Sequence, residues 1–210
     1  MINLSNILFI GAHPDDIELG CGGTLIKHIK NKDNVFVIIV SDGEKGFIGT
    51  RNNRIDEARK ALSDIGLNKS NITFLHVPDT MFIENRKIIL SEIERICDEH
   101  NIQKVYTHTN KEYHQDHIVV FEETLRGARK VSNILAYESN AHTLPIFSPN
   151  YFVDITDVFN KKILLLDHYH SQSKKQYFDI SFITSAARFR GSQAKKLYAE
   201  GFEIIRMVGQ

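Results

Sequence analysis

The chain has 210 residues, and its 26 lysines and arginines balance its 26 aspartates and glutamates, so the formal net charge is zero. This length favours one domain that buries a substantial hydrophobic core. The charge balance argues against nucleic acid as a partner, since phosphate binding normally requires a cationic excess. Two cysteines, Cys21 and Cys97, are too few for a disulfide framework or a four-cysteine zinc site. The ten histidines are the notable surplus, because histidine is the commonest metal ligand.

The apolar runs predict neither a signal peptide nor a membrane span. Residues 1–6 carry no basic side chain, and the apolar run that follows them covers only residues 7–10. The runs at residues 35–40 and 163–166 are far shorter than the ~20 residues that a membrane helix needs. We therefore expect a cytoplasmic protein that does not act at a membrane.

Apolar runs rich in β-branched residues alternate with helical patterns along the first two thirds of the chain. Strands are predicted at residues 7–10, 35–40, 73–77, 105–109 and 134–138. Helical periodicity is present at residues 25–29, 54–65, 88–97 and 118–131. This alternation predicts an α/β, Rossmann-like fold, in which a mostly parallel sheet carries helices on both faces.

The pattern becomes irregular beyond Leu144. Short strands are predicted at residues 151–155 and 202–207, and helices at residues 163–170 and 181–197. The sequence contains no repeat and no linker between domains. We therefore interpret residues 1–210 as a single domain, with a Rossmann-like core at 1–144 and a C-terminal elaboration at 145–210.

Three polar clusters follow predicted strands. His13-Pro14-Asp15-Asp16 follows the first strand, residues 41–44 follow the second, and residues 110–117 follow the fourth. In an open parallel sheet, ligands bind beyond the carboxyl ends of the strands. We therefore expect the first and third clusters to meet in space, although they lie far apart in sequence.

These two clusters offer the donors of a metal site. His13 and Asp16 are spaced i, i+3, so a tight turn can direct both side chains at one point. One imidazole from His114 or His117 completes a set of two histidines and one carboxylate. Three protein ligands with one open position are typical of a catalytic Zn²⁺ site. The same donors suit non-haem Fe²⁺.

The other polar residues of the clusters suit hydrolysis. Asp15 is a spare carboxylate, which fits a general base that takes a proton from water. The histidine of the pair that does not bind metal can donate to a developing oxyanion. Asp116 can orient that imidazole by accepting its other N–H. The alternative for Asp15 or Asp16 is a structural role as the N-cap of the following helix.

The glycines after the first strand raise a different possibility, a dinucleotide-binding loop. Gly11 and Gly20-Cys21-Gly22-Gly23 do not have the G-x-G-x-x-G spacing, and the His-Pro-Asp-Asp sequence occupies the tight turn. Close packing of the first helix, or approach of its backbone to the site, explains these glycines better.

Residues 12–24, Ala-His-Pro-Asp-Asp-Ile-Glu-Leu-Gly-Cys-Gly-Gly-Thr, with His114-Gln115-Asp116-His117, closely resemble the LmbE-like/PIG-L family of zinc-dependent N-deacetylases. Further blocks at residues 41–46 with Gly49-Thr50, and weaker ones at 54–58, 169–172 and 198–202, extend the resemblance over most of the chain, the last two towards the bacterial, bacillithiol-type branch. Members remove the acetyl group from N-acetylglucosamine-type sugars. The resemblance therefore implies a Zn²⁺ or Fe²⁺ cofactor and a small N-acetylated sugar as substrate.

The resemblance also assigns roles. It makes His13, Asp16 and His117 the metal ligands and Asp15 the general base. It makes His114 the oxyanion-side donor or acid, with Asp116 as its orienting partner.

Two further residues are implied in substrate binding. The resemblance makes Arg54 a substrate contact and Asp79 the residue that holds sugar hydroxyls. Their structural alternatives are an ion pair of Arg54 with a nearby glutamate and a turn-shaping role for Asp79. The chain departs from the family at Phe47, where mycothiol-pathway enzymes carry an acidic substrate contact, and at Glu112, where many members have Asp. Both departures concern the substrate rather than the chemistry.

Most of the remaining histidines and lysines are expected to have structural or surface roles rather than roles in the site. His108 is expected to be packed in a strand near the pocket, and His142 to lie in a loop. The Lys174-Lys175 pair is interpreted as solvated surface.

We therefore expect a metal-dependent hydrolase that removes the acetyl group from an N-acetylglucosamine-type sugar or glycoside. One alternative is an amidase that cleaves a larger acyl group or a thiol-conjugate amide. Another is a non-catalytic sugar- or nucleotide-binding protein on the same fold. Bacterial members of the family often form homo-oligomers, and we expect the same here.

Overall fold

The computed structural model describes residues 4–46, 51–139 and 142–209. Within these ranges seven strands form one sheet: β1 Asn6–Gly11, β2 Asn34–Ile39, β3 Ile72–Phe74, β4 Lys104–His108, β5 Asn133–Tyr137, β6 Tyr151–Asp154 and β7 Ala199–Arg206. The α-helices of this part of the chain are α1 Asp16–Lys30, α2 Arg51–Asp64, α3 Arg86–Glu99, α4 Gln115–Gly127, α5 Phe159–Asp167 and α6 Ile180–Ala194. None of these helices is long and apolar enough to cross a membrane.

The strand order of the sheet is β3-β2-β1-β4-β5-β7-β6. The first five strands are parallel, because a helix after each of β1 to β4 returns the chain to the same end of the sheet. β7 pairs antiparallel with both β5 and β6. This architecture confirms the predicted α/β fold with a mostly parallel sheet. The C-terminal third, whose pattern was irregular in sequence, adds β6 and β7 to that sheet.

Two predicted boundaries differ from the structure for the same physical reason. The strand predicted at 73–77 covers only Ile72–Phe74, and His76 beyond it has a left-handed φ of 55°. The helix predicted at 181–197 ends before Lys195, whose φ of 56° forms a left-handed C-cap. A left-handed residue interrupts both strand and helix geometry, and non-glycine residues seldom signal it in sequence.

Side-chain alternation along the central strands creates an apolar core on each face of the sheet. Ile7 and Phe9 of β1 lie in the core that α1, α2, α5 and α6 cover. Leu8 and Ile10 lie in the core that α3 and α4 cover. With helices on both faces, the carboxyl-end edge of the sheet remains for a site.

Helix α1 approaches the sheet so closely that glycines are required in its middle. A Cβ added at Gly23 would stand 2.7 Å from Cγ2 of Ile155, and one at Gly20 would overlap the ring of Tyr137. Cys21 has a φ of −145°, which interrupts the helical geometry between the two glycines. These contacts support close packing as the reason for the glycines.

A buried ion pair ties α1 to the C-terminal third of the chain. The Lys162 ammonium on α5 donates to the Leu19 carbonyl and to Glu200 Oε1, both at 2.7 Å. Glu200 on β7 also accepts the backbone N–H groups of Gly23 and Thr24 at 2.8 and 2.7 Å. The carboxylate therefore caps the half of α1 that follows its interruption, and the lysine balances its charge.

Replacement of Lys162 by Met leaves the Glu200 carboxylate buried without a cation. We expect Lys162→Met to lower the free energy of unfolding by about 3 to 5 kcal/mol, as for other broken buried pairs. Urea denaturation of this variant measures the loss. Lys161→Met is the matched control, because Lys161 is its exposed neighbour on the same helix. Equal losses in the two variants would contradict a stabilising role for the pair.

Candidate metal centre

The predicted site residues converge at the carboxyl ends of β1 and β4. One pocket is lined by His13, Asp15, Asp16, Gly46, Arg54, Asp79, His114, His117, His142, Lys175 and Tyr177. Seven of the eight residues singled out in the sequence are in this lining. The eighth, Asp116, is 1% exposed and lies behind His13. The topology therefore brings together two clusters that are about half the chain apart, as the sequence predicts.

The turn after β1 directs its side chains into the pocket. Asp15 has a φ of 100° and stands at the N-cap position of α1, yet its side chain makes no capping hydrogen bond. The Asp16 carboxylate instead folds back to accept the His13 N–H at 2.7 Å. The carboxyl group of Asp15 is thus committed to the pocket, which argues against a purely structural cap. A strained left-handed aspartate at such a place is typical of a functional turn.

The Asp16 carboxylate gathers three imidazole nitrogens around one oxygen. Its Oδ2 lies 3.4 Å from His13 Nδ1, 3.4 Å from His117 Nε2 and 3.3 Å from His108 Nε2. All four residues are at least 90% buried. Although burial opposes the carboxylate charge, the imidazoles of His117 and His108 hold the pKa of Asp16 well below its usual range.

Both predicted histidine ligands have their other ring nitrogen on a carboxylate. His13 Nε2 lies 3.2 Å from Asp79 Oδ1 and 3.3 Å from Asp116 Oδ2. His117 Nδ1 is hydrogen-bonded to Glu112. Such contacts hold the proton on the nitrogen that faces the carboxylate and leave the lone pair of the other nitrogen for a metal. In both rings the freed nitrogen is the one that faces Asp16.

An unpartnered nitrogen supports a cation at this point. His117 Nε2 is fully buried and has no hydrogen-bond partner among the described residues. Burial, followed by the charge of His108, lowers the pKa of His117 to about 4, so its ring is neutral at physiological pH. Burial also disfavours charge on His13, but the surrounding carboxylates of Asp116, Asp16 and Asp79 raise its pKa well above the ordinary value. A cluster that attracts a proton so strongly fits a divalent cation.

Three combinations of these side chains place one ligand atom each within 4.8 Å of the others, within the described part of the chain. They are His13 with His114 and His117, Asp16 with His108 and His117, and His13 with Asp79 and Asp116. The predicted trio of His13, Asp16 and His117 is not one of these three combinations. Each of its three residues nevertheless occurs in one or more of these combinations. Asp16 Oδ2 also lies 3.4 Å from both His13 Nδ1 and His117 Nε2. Their assignment as ligands therefore stays a prediction.

Arg54 holds the predicted base. Its guanidinium donates to Asp15 Oδ2 at 2.8 Å, to the Pro14 carbonyl at 2.6 Å and to the Gly43 carbonyl at 2.9 Å. Burial raises the pKa of Asp15 to about 6, and the charge of Arg54 opposes this shift. The structural alternative, an ion pair of Arg54 with a nearby glutamate, is not found among the described residues, where Asp15 is the carboxylate partner of Arg54. Arg54 thus orients the Asp15 carboxylate, and the roles of Asp15 as the base and of Arg54 as a substrate contact stay predictions.

The structure places Asp116 differently from its predicted role. The Asp116 carboxylate accepts from the Thr80 N–H at 2.9 Å and lies on His13, while only its backbone N–H contacts His114, at 3.3 Å to Nδ1. His114 is the N-cap of α4, and this capping geometry turns the Asp116 side chain away from the imidazole. Burial and the charge of His13 lower the pKa of His114, which favours the neutral form of the ring.

The C-terminal third contributes residues that the sequence analysis did not assign to the site. Lys175 lines the pocket and its ammonium lies 5.6 Å from the Tyr177 ring centre, so the interpretation of Lys175 as solvated surface is wrong. His142 approaches His114 with a ring separation of 5.4 Å. No short motif marks these residues, since long-range packing alone brings them to the pocket. Phe47 and the Gly49-Thr50 pair lie outside the described residues.

Residues 8–127 match the family model described as PIG-L, GlcNAc-PI de-N-acetylase. The match spans more than half of the chain, and the chain belongs to this family.

The relatives include named deacetylases and one enzyme of a different reaction class. The chain is 31% identical over 171 residues to the uncharacterized deacetylase YaiS of Escherichia coli (strain K12), covering 79% of this chain and 90% of that protein. It is 23% identical over 227 residues to a diacetylchitobiose deacetylase of Thermococcus kodakarensis, covering 97% and 84%. The crystal structure of GalB, the 4-carboxy-2-hydroxymuconate hydratase from Pseudomonas putida KT2440, has a TM-score of 0.85 at 21% identity, covering 99% and 98%. The fold alone therefore does not fix the reaction.

The ligand prediction can be tested by metal content. We expect one divalent metal ion per wild-type chain, and its loss from His13→Ala and His117→Ala, because each removes an imidazole lone pair from the cluster. Metal analysis of purified, dialysed protein gives the stoichiometry. His76→Ala serves as the control, since this half-exposed imidazole lies on Asp42 and outside the pocket lining. Unchanged metal content in both cluster variants would refute the assignment.

Proposed function

We propose that this chain is a metal-dependent N-deacetylase that converts an N-acetylglucosamine-type sugar or glycoside into acetate and the free amine. One observation carries the proposal: Asp16 Oδ2 lies between His13 Nδ1 and His117 Nε2, with the spare carboxylate of Asp15 in the same pocket. A binding protein has no need of the spare carboxylate. The family description and the diacetylchitobiose deacetylase relative support the acetylated-sugar substrate.

His13, Asp16 and His117 would hold the metal. When bound there, Zn²⁺ or Fe²⁺ supplies a Lewis acid that lowers the pKa of water and polarises the acetamide carbonyl. The donor set of two imidazoles and one carboxylate suits either ion.

Asp15 acts as the general base in this proposal. With a pKa of about 6 it is largely ionised at neutral pH, yet basic enough to accept a proton from the attacking water. The Arg54 guanidinium fixes one carboxylate oxygen and leaves Oδ1 of Asp15 for the water. The proton that Asp15 accepts is then available to the departing amine.

His114 serves as the donor to the oxyanion. Its Nδ1 accepts the backbone N–H of Asp116, so the ring proton of the neutral imidazole resides on Nε2. A neutral N–H donor in a buried pocket stabilises negative charge that develops on the carbonyl oxygen. The His114 ring needs no positive charge for this role. It therefore does not need the Asp116 carboxylate beside it to stabilise such a charge.

Substrate binding falls to the rest of the lining. The Asp79 carboxylate is 4% exposed and retains acceptor capacity beyond its contacts with His13 and the Lys45 N–H, which suits sugar hydroxyls. The Tyr177 ring and Lys175 border the same pocket from the C-terminal third. The Tyr177 ring offers an apolar face, and Lys175 offers a cation, to the substituent that the sugar carries.

Product analysis tests the reaction. We expect the metal-loaded protein to release acetate and primary amine in equal amounts from N-acetylglucosamine, its malate glycoside, a nucleotide-linked form or a chitin oligomer. Chelation should abolish the release, and N-propionyl and longer N-acyl analogues should react more slowly. A preference for the longer acyl groups would identify the amidase alternative. Binding without release of either product from any of these would contradict hydrolysis.

Asp15→Asn separates the base from the metal site. The amide cannot accept a proton, so we expect kcat to fall by at least about 10²-fold, the usual loss for a general base. Metal content should stay at the wild-type value, because Asp15 is not a proposed ligand. Steady-state kinetics beside metal analysis measures both. Wild-type turnover in this variant would remove Asp15 from the mechanism.

A further inference from the structure

One buried carboxylate in the cluster has no part in the proposed reaction. Glu112 lies in the segment between β4 and α4, is 3% exposed and does not line the pocket. Its Oε2 is hydrogen-bonded to His117 Nδ1, and its Oε1 lies 3.7 Å from His108 Nδ1. Within the described part of the chain, no lysine or arginine pairs with this carboxylate. A hydrogen bond from His117 and the nearby His108 ring therefore stabilise a buried charge that would otherwise be costly, and Oε1 itself has no hydrogen-bond partner within the described residues.

The two imidazoles stack on each other above this carboxylate. The ring centres of His108 and His117 are 3.9 Å apart, with an interplanar angle of 27°. His108 is fully buried on β4, and its Nε2 lies 3.1 Å from the Ala12 backbone nitrogen at the end of β1. The His108 ring thus supports the His117 ring on one face. The Nε2 edge of His108 contacts the turn that carries His13.

The backbone of Glu112 is itself fixed from the C-terminal side. Glu112 forms an antiparallel bridge with Thr143, and the flanking residues are joined by hydrogen bonds from Tyr113 N to the His142 carbonyl at 2.9 Å and from Leu144 N to the Lys111 carbonyl at 2.7 Å. A carboxylate on so constrained a segment can hold an imidazole in one orientation.

We propose that Glu112 is a positioning residue, which fixes His117 in its Nδ1–H tautomer and holds its Nε2 towards Asp16, with the His108 ring as the support. This inference rests on the metal site proposed above. An ionised carboxylate accepts and never donates, so the contact with Glu112 Oε2 keeps the proton of His117 on Nδ1, while Oε1 faces His108 Nδ1 at 3.7 Å without a hydrogen bond. Aspartate shares this pattern of two acceptors and no donor, on a side chain that is one methylene shorter. A glutamine has one acceptor oxygen and would turn its amide N–H towards one of the two donors.

Metal affinity is the first test. Glu112→Gln keeps the shape of the side chain, and we expect it to raise the metal Kd by about 10- to 100-fold, the usual cost of losing such a carboxylate. Zn²⁺ titration of the metal-free protein against a chelating dye measures Kd. Glu123→Gln is the matched control, since Glu123 is a buried carboxylate on α4 that is paired with Arg126 and does not contact the cluster. It should keep the wild-type Kd.

The tautomer of His117 is the second test, and a purely structural role for Glu112 would not affect it. ¹⁵N NMR of the imidazoles in metal-free wild-type protein should show the proton of His117 on Nδ1. In Glu112→Gln it should be distributed over both nitrogens, and Glu112→Asp should recover part of the Nδ1–H population. An Nε2–H tautomer in the wild-type protein would overturn the proposal even where the glutamine variant fails to fold. Wild-type Kd and tautomer in a folded Glu112→Gln protein would also overturn it.

Both readouts are independent of turnover. A protein that binds Zn²⁺ through an ordered His117 and hydrolyses no acetylated sugar would contradict the proposed function alone. A protein that deacetylates normally and keeps its metal affinity in Glu112→Gln would contradict this inference alone.

Discussion

Burial of the Asp16 carboxylate at the end of β1 is the constraint on which the rest of the site depends. A carboxylate without water requires positive or donor partners, and Asp16 has the ring nitrogens of His13, His108 and His117 within 3.4 Å. Those rings in turn require acceptors on their far sides, which are Asp79 and Asp116 for His13 and Glu112 for His117. Around Asp16 Oδ2 there is therefore an inner layer of imidazole rings and an outer layer of carboxylates. Such an arrangement leaves excess negative charge at its centre, where a divalent cation is best stabilised.

The fold delivers this arrangement through its parallel sheet. β1 and β4 are neighbours, so the His-Pro-Asp-Asp turn after one strand and the His114–His117 segment after the other meet at one edge. His142, Lys175 and Tyr177 also line the pocket at this edge, and β6 and β7 attach the C-terminal third of the chain to β5. The Lys162–Glu200 pair links that attachment to α1, whose first turn carries Asp16. Packing in the C-terminal third is therefore connected physically to the geometry of the site.

The sequence predicted the parts of this structure that depend on local pattern. Continuous β-branched runs identified the parallel strands, and polar clusters after strands located the site, because ligand position in an open sheet follows from topology. It did not predict the contacts that depend on rotamers and distant packing. Asp116 faces His13 because the N-cap geometry of His114 excludes the alternative, and Lys175 enters the pocket on a turn with no motif. His108 and Glu112 carried a signal that could have been used, since two histidines and an acid within ten residues of a strand end suggest a shared network.

The central claim is that Asp16, His13 and His117 together form the metal site. Anomalous diffraction at the metal absorption edge from crystals of the Zn²⁺-loaded protein tests this most directly. The claim predicts one peak about 2.0 to 2.2 Å from Asp16 Oδ2, His13 Nδ1 and His117 Nε2, with Asp15 close by but outside the coordination sphere. A peak held by His13 Nε2 with Asp79 and Asp116 would contradict it. So would a peak at His13, His114 and His117 that leaves Asp16 unbound.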